Sequence, residues 1–169
     1  GIGVVADLPG VGANLQDHLE VYVQHACTQP VSMQPALETW RKPFIGAAWL
    51  FLRRGPGATN HFEGGGFVRS NEEVAYPNLM FHFLPLAIRY DGSKPAGGHG
   101  YQVHVGPMYS DSRGELRLAS ADPLAAPLID PNYWEDPYDR EMSIKGLKLA
   151  REIMAQDALK PYVLAERLP

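Results

Sequence analysis

The sequence predicts an α+β domain, an antiparallel β-sheet with flanking helices. Three observations predict it. Apolar and polar side chains alternate with period two over 19–28, 101–105 and 115–119, the pattern of strands with one face in a core. A single long helical pattern follows these strands, opened by Asp136-Pro137. The 17 glycines and 15 prolines are spread along the chain, so short elements joined by many turns are expected. Strands that precede a helix, rather than alternating with helices, are the order of an α+β domain.

The elements follow in turn. Leu8-Pro9-Gly10-Val11-Gly12-Ala13-Asn14 is a turn-rich start. Leu19, Val21 and Val23 alternate with Glu20, Tyr22 and Gln24, which makes 19–28 a strand. Residues 35–54 hold one or two helices, interrupted at Pro43, because proline removes an intrahelical donor. Arg53-Arg54-Gly55-Pro56-Gly57 is a loop. Residues 62–69 form a strand weakened by Gly64, Gly65 and Gly66, and 78–88 an apolar strand whose pairing ends at Pro85. Residues 91–100 are a flexible loop by composition. Tyr101 to Val105 is a strand, and Ser112-Arg113-Gly114 turns into another at 115–119.

The late helix carries the strongest local signals. Asp136 is an N-cap, and Pro137 suits the first helical position, where its missing N–H had no intrahelical partner. Ile144, Leu147, Ala150 and Met154 fall on one face at helical spacing, and Pro161 stops any continuation. Gly146 costs this helix about 1 kcal/mol relative to alanine, so close packing is expected there.

Composition narrows the function classes. With 169 residues the chain can bury a core of its own, and 45% hydrophobic with 20% charged residues is ordinary for a globular protein. A net charge of −4 offers no broad attraction to phosphates, so no nucleic-acid partner is expected. No apolar run reaches the roughly 20 residues of a membrane span, and the start lacks a signal-peptide core. Cys27 alone makes neither an internal disulfide nor a zinc site, and reads as a buried inert thiol. Gly1 stands where an initiator methionine is absent, and both ends read as cut from a longer protein.

Several motifs are tested and set aside. Gly10-Val11-Gly12 lacks the third glycine of G-x-G-x-x-G, since Leu15 stands there, so no phosphate cradle is expected. Asp17-His18 resembles a base with its orienting carboxylate, but adjacent residues on extended backbone point to opposite faces. Capping of a turn is the better reading. None of the six histidines pairs at i, i+4, so no metal site is expected, and no G-x-S-x-G elbow marks a serine hydrolase.

Glu63 stands apart. It follows Asn60-His61-Phe62 and precedes three glycines, which leave backbone space beside one carboxylate. Close approach of a ligand and a solvent-exposed strand residue beside a bulge are equally good accounts. Trp40, Trp49, Phe62, Tyr76, Phe81, Phe83 and Tyr90 are expected in the core. If several face Glu63 instead, they make a cage for a quaternary ammonium, which has no N–H to donate and is held by ring faces plus a carboxylate.

Leu8-Pro9-Gly10-Val11-Gly12-Ala13-Asn14-Leu15-Gln16-Asp17-His18 is similar to a signature of the glucose-methanol-choline (GMC) oxidoreductases. Phe62-Glu63-Gly64-Gly65-Gly66-Phe67, His82-Phe83-Leu84-Pro85, Ser112-Arg113-Gly114 and Ala150-Arg151-Glu152-Ile153-Met154-Ala155-Gln156 extend the likeness through nearly the whole chain. It is strongest toward the choline-oxidising members. Ala13 departs from the signature, where glutamate is common.

The resemblance implies the substrate-binding domain of a two-part enzyme. Residues 1–18 would link from an FAD-binding domain, and 19–169 would form the substrate-binding domain without its C-terminal part. It implies choline or a similar small alcohol as substrate, oxidised by hydride transfer to FAD, with a membrane electron acceptor. It implies a cytoplasmic protein or one held peripherally at an inner membrane. Glu63 matches the glutamate that binds the trimethylammonium group, and His82 and His99 are the candidates for a pocket histidine. Asn14, Asp17 and His18 lie nearest to the FAD domain. The family's dinucleotide fingerprint and active-site histidine are absent from these residues, so the chain alone is expected neither to bind FAD nor to oxidise choline. A GMC enzyme for a neutral alcohol and a non-catalytic quaternary-amine module are the alternatives.

Overall fold

The computed structural model describes residues 3–90 and 97–168. The architecture is α+β, as expected. Among the described residues, eight strands form two antiparallel sheets, and two α-helices accompany them.

The larger sheet has the order β3-β4-β5-β2-β8. β2 is Val21–Cys27, β3 Gly64–Val68, β4 Leu79–Leu84, β5 Gly100–Pro107 and β8 Val163–Leu168. β5 lies at the centre, and its whole length is buried. The smaller sheet has the order β1-β6-β7, with β1 Ala13–Leu15, β6 Gly114–Arg117 and β7 Leu128–Asp130. The strands expected at 19–28, 62–69, 78–88, 101–105 and 115–119 are all present. β1, β7 and β8 were not expected. The first two are three residues long, too short to show a period, and β8 is named by its pairing with β2 rather than by alternation.

Helix α2, Pro137–Met154, packs on one face of the larger sheet. Its first turn is capped as expected, with Asp136 accepting from the Tyr138 N–H. The core joins Val23, Phe81, Val103 and Val105 of the sheet to Met142, Ala150 and Met154 of the helix. A Cβ on Gly146 would lie 2.7 Å from Val105 Cγ2, so this glycine brings helix and sheet together. The expected helical face needs one correction. Ile144 is 56% exposed, and the buried stripe runs through Asp139, Met142, Ser143, Gly146, Ala150 and Met154 instead. Apolar spacing suggested the Ile144 face; two polar residues with internal hydrogen bonds shift the stripe.

Asp139 is wholly buried on α2. It accepts from the Ser110 hydroxyl at 2.5 Å and from the backbone N–H groups of Asp111 and Ser112, both at 2.9 Å. Burial pushes this carboxyl up, but hydrogen bonds from Ser110 and Ser112 and the Asp111 amide outweigh it, and the group stays below the usual carboxylate range. The carboxylate thus anchors the turn between β5 and β6 to the helix.

Pro43 does not interrupt a helix; it begins one. Helix α1 is Lys42–Leu52, with Pro43 in its first turn, where an N–H is not needed. Single 3-10 turns precede it at Gln34–Leu37 and Thr39–Arg41, and another follows at Pro56–Ala58. No residue of α1 is buried. The expectation of an aromatic core fails for most of the rings. Trp40, Trp49, Phe62, Tyr76 and Tyr90 are exposed, and only Phe81 of the seven is buried. Cys27 is partly buried, and burial pushes its thiol pKa up, which keeps it protonated and unreactive. Residues 91–96 of the expected 91–100 loop lie outside the described residues.

Candidate substrate-side site

Period-two geometry gives the larger sheet a second face, built from the residues between the core positions. Its rows follow from the register. His82 of β4 stands opposite His104 of β5, which stands opposite Tyr22 of β2. Leu84, Gln102 and Gln24 form the next row. Gln24, Gln102 and His104 are buried at 1%, 0% and 4% exposure. Buried polar groups need partners, and most of these find one another, although Gln24 Oε1 has none among the described residues. Gln24 Nε2 donates to Gln102 Oε1 at 2.9 Å, and Gln102 Nε2 lies 2.8 Å from His104 Nε2.

Glu20, just before β2, ends this layer. Its Oε2 lies 3.2 Å from His104 Nδ1 and its Oε1 3.3 Å from His82 Nε2. Its side chain keeps 35% of its surface exposed. The hydrogen bond from His104 pulls the Glu20 carboxyl below its ordinary value; burial opposes this, and the charges of His104, His82 and His18 add to it. The carboxylate is therefore ionised at neutral pH.

Aromatic rings surround it. Tyr22 stacks on His104 at 5.1 Å between centroids, and Tyr90 meets both edge-on at 5.5 and 5.7 Å. Phe62 meets His82 edge-on at 5.7 Å. A cleft of about 730 Å³ opens here, with Glu20, Tyr22, Phe62, Tyr90, His104 and Tyr133 in its walls. One anion beside several ring faces is an arrangement that attracts a cation, including one with no N–H to donate.

The expected site residues divide. His82 joins the cluster through Glu20 and Phe62. His18 lines the same cleft. Glu63 is exposed, accepts from the Thr59 hydroxyl at 2.5 Å, and is not part of the cleft wall. His99 lies elsewhere; its Nδ1 accepts from the Ser32 N–H at 3.2 Å and lies 2.8 Å from the Ser32 hydroxyl. The glycines after Glu63 serve the sheet in part, since a Cβ on Gly65 would lie 2.8 Å from the Phe81 carbonyl oxygen. Glu20, Tyr22 and His104 were not singled out from sequence. Alternation at 19–28 and 101–105 put Glu20, Tyr22 and His104 on the polar side of their strands, but only the register brings them together.

The start of the chain does not fit a dinucleotide. Gly12 has φ of 80°, and a Cβ there would lie 2.1 Å from the Leu116 carbonyl oxygen, so it serves chain packing. Asn14 is exposed in left-handed conformation. Asp17 accepts from the His18 N–H at 2.8 Å and from the Tyr133 hydroxyl. These bonds, the Tyr133 one foremost, hold its carboxyl below the ordinary value. They cap a turn, the reading favoured for Asp17-His18. Asp17 is thus engaged within the chain, while Asn14 and His18 stay exposed. No cluster of three or more His, Cys, Asp or Glu suited to a metal occurs among the described residues.

Comparison with known proteins adds the following. Residues 110–168 match the family model described as GMC oxidoreductase. An oxygen-dependent choline dehydrogenase of Staphylococcus saprophyticus is 61% identical over 155 residues, 92% of this chain. Its counterpart in Staphylococcus aureus is 58% identical over 162 residues, 96% of this chain. The chain spans 28% of the length of each. Two solved structures share the fold: pyridoxine 4-oxidase from Mesorbium loti, at TM-score 0.75 and 24% identity, and an FAD-dependent oxidoreductase from Chaetomium thermophilum, at 0.71 and 19%. Each alignment covers 99% of this chain, with 29% and 35% of the respective neighbour.

Proposed function

The chain belongs to the GMC oxidoreductase family, and on that premise we propose that it forms the substrate side of an FAD-dependent choline dehydrogenase. That enzyme oxidises choline to betaine aldehyde, a step toward glycine betaine. The observation that carries the reading is the cleft at Glu20, where an ionised carboxylate stands among exposed aromatic rings. The names of relatives about 60% identical support it.

In this proposal Glu63, next in the chain to Phe62 of the cleft wall but not itself in that wall, is the carboxylate that the family likeness assigns to the trimethylammonium group. His82 is the pocket histidine rather than His99, because His82 borders the cleft cluster while His99 is engaged with Ser32. Residues 1–18 lead from the FAD-binding part and 19–169 form the substrate-binding domain. The flavin would supply the hydride acceptor, and we take its pyrophosphate to be held outside this chain, because Gly10-Val11-Gly12 lacks the dinucleotide fingerprint. The chain by itself is therefore colourless and inactive.

The electron acceptor has two readings. The family likeness suggests a membrane acceptor, with the protein peripheral to an inner membrane. No helix among the described residues is long and apolar enough to cross one. The staphylococcal relatives are named as oxygen-dependent, which favours molecular oxygen. Oxygen uptake during choline turnover separates the two.

The substrate reading is tested with the full-length enzyme, using choline and its uncharged carbon isostere 3,3-dimethylbutan-1-ol. Glu63→Gln should lower kcat/KM for choline about tenfold or more, some 1.4 kcal/mol, while the isostere changes little. Equal loss for both alcohols removes the cation-binding role.

A further inference from the structure

The polar layer on the sheet has a direction, and the backbone of Ile88 sets it. The Ile88 N–H donates to Gln102 Oε1 at 3.1 Å, and the Ile88 carbonyl accepts from Gln24 Nε2 at 3.0 Å. A backbone N–H only donates and a backbone carbonyl only accepts, so both glutamine amides are held in one orientation. Gln24 Nε2 also donates to Gln102 Oε1. That oxygen is filled by two donors, and Gln102 Nε2 is left to face His104 Nε2 at 2.8 Å and the Tyr90 hydroxyl at 3.2 Å.

An amide nitrogen only donates. His104 Nε2 is therefore an acceptor, and the ring proton sits on Nδ1. Nδ1 faces Glu20 Oε2 at 3.2 Å, and an ionised carboxylate only accepts. The other Glu20 oxygen faces His82 Nε2 at 3.3 Å. This second contact is a close approach of charge-bearing groups rather than an aligned hydrogen bond; a carboxylate there favours the proton on Nε2, which leaves Nδ1 as the acceptor of the His82 ring.

We propose that Glu20 is a positioning residue for His82, the outer end of a directed run of hydrogen bonds from Ile88 through Gln102 and His104. The run fixes which nitrogen of each imidazole bears its proton. His82 is thereby held by Nε2–H and offers Nδ1 as its acceptor beside the cleft. Asp would preserve the charge and the acceptor pair at shorter reach. Gln would preserve size but put an N–H₂ where one imidazole also donates.

Nitrogen-15 histidine spectra of the full-length protein test this directly. In the native protein His104 should carry its proton on Nδ1 and His82 on Nε2. In Glu20→Gln at least one ring should switch, and KM for choline should rise about tenfold with kcat within about threefold. Glu20→Asp should keep the native tautomers and recover much of the affinity. A proton on His104 Nε2 in the native protein overturns the proposal, and that measurement needs no variant to fold. Unchanged tautomers in Glu20→Gln also overturn it. Only the KM comparison rests on the choline reading. Native tautomers as expected, with choline used no better than its neutral isostere, would uphold the relay and remove the substrate assignment.

Discussion

The two faces of the larger sheet use alternate residues of the same strands and are filled by different physics. The face under α2 is apolar: Val23, Phe81, Val103 and Val105 meet Met142, Ala150 and Met154. The opposite face holds Gln24, Gln102 and His104, bonded into a layer that ends on Glu20 at an open cleft. Apolar contacts have no direction, so the first face tolerates changes of side chain that keep volume. Hydrogen-bonded groups do have direction, and a buried layer of them specifies one arrangement. Tyr101 is an exception on the apolar side. Its hydroxyl is buried without a partner among the described residues, and burial pushes its pKa up to about 12. The comparison teaches that one face supplies stability and the other a shaped, anionic site.

Variants on the helix side should lower stability and leave the chemistry of the cleft alone. Asp139→Ala has the largest expected effect. It strands the Ser110 hydroxyl and two backbone N–H groups in a buried place, at a cost of about 4 kcal/mol, read from denaturant midpoints. Gly146→Val comes next. Its Cβ alone lies 2.7 Å from Val105, and overpacking of this kind costs about 2 kcal/mol in thermal or denaturant unfolding. Native-like His82 and His104 tautomers in both variants would uphold the separation of the faces. A tautomer change in Gly146→Val would break it.

The smallest expected effect is in pH dependence. The folded-state carboxyl of Asp139 lies below its ordinary value of 3.8. Its contribution is full above that value and is lost as pH falls through the lower folded value. Stability should therefore drop below about pH 4, and Asp139→Asn should flatten the drop. Glu20 is shifted in the same direction but is partly exposed, so Glu20→Gln should flatten it less. A larger effect from Glu20→Gln would mean that the cleft side also governs acid stability.

The local features were legible in sequence because local physics makes them. Alternation named the strands at 19–28 and 101–105, an apolar run named the one at 78–88, and Asp136-Pro137 named the start of α2. The close approach at Gly146 followed from its cost to a helix. Pro43 misled, because the same residue that breaks a helix interior fits its first turn. The aromatic residues misled too, since composition says that rings favour a core and not which ones line an open cleft.

The sequence by itself determined the α+β class, most strands, the capped helix and the family likeness, all of which depend on neighbours along the chain or on long matching stretches. Only the tertiary structure decided that Glu20, His82 and His104 share one site. Those residues are separated by tens of positions, and their meeting depends on the pairing of β2, β4 and β5. A slip of one residue in any of these strands would turn that strand's side chains, its site residue included, to the apolar face. Which residues stand opposite one another is a matter of pairing between distant strands, which has no local signature. The carboxylate that sequence singled out, Glu63, and the one that the fold sets among the rings, Glu20, differ for that reason.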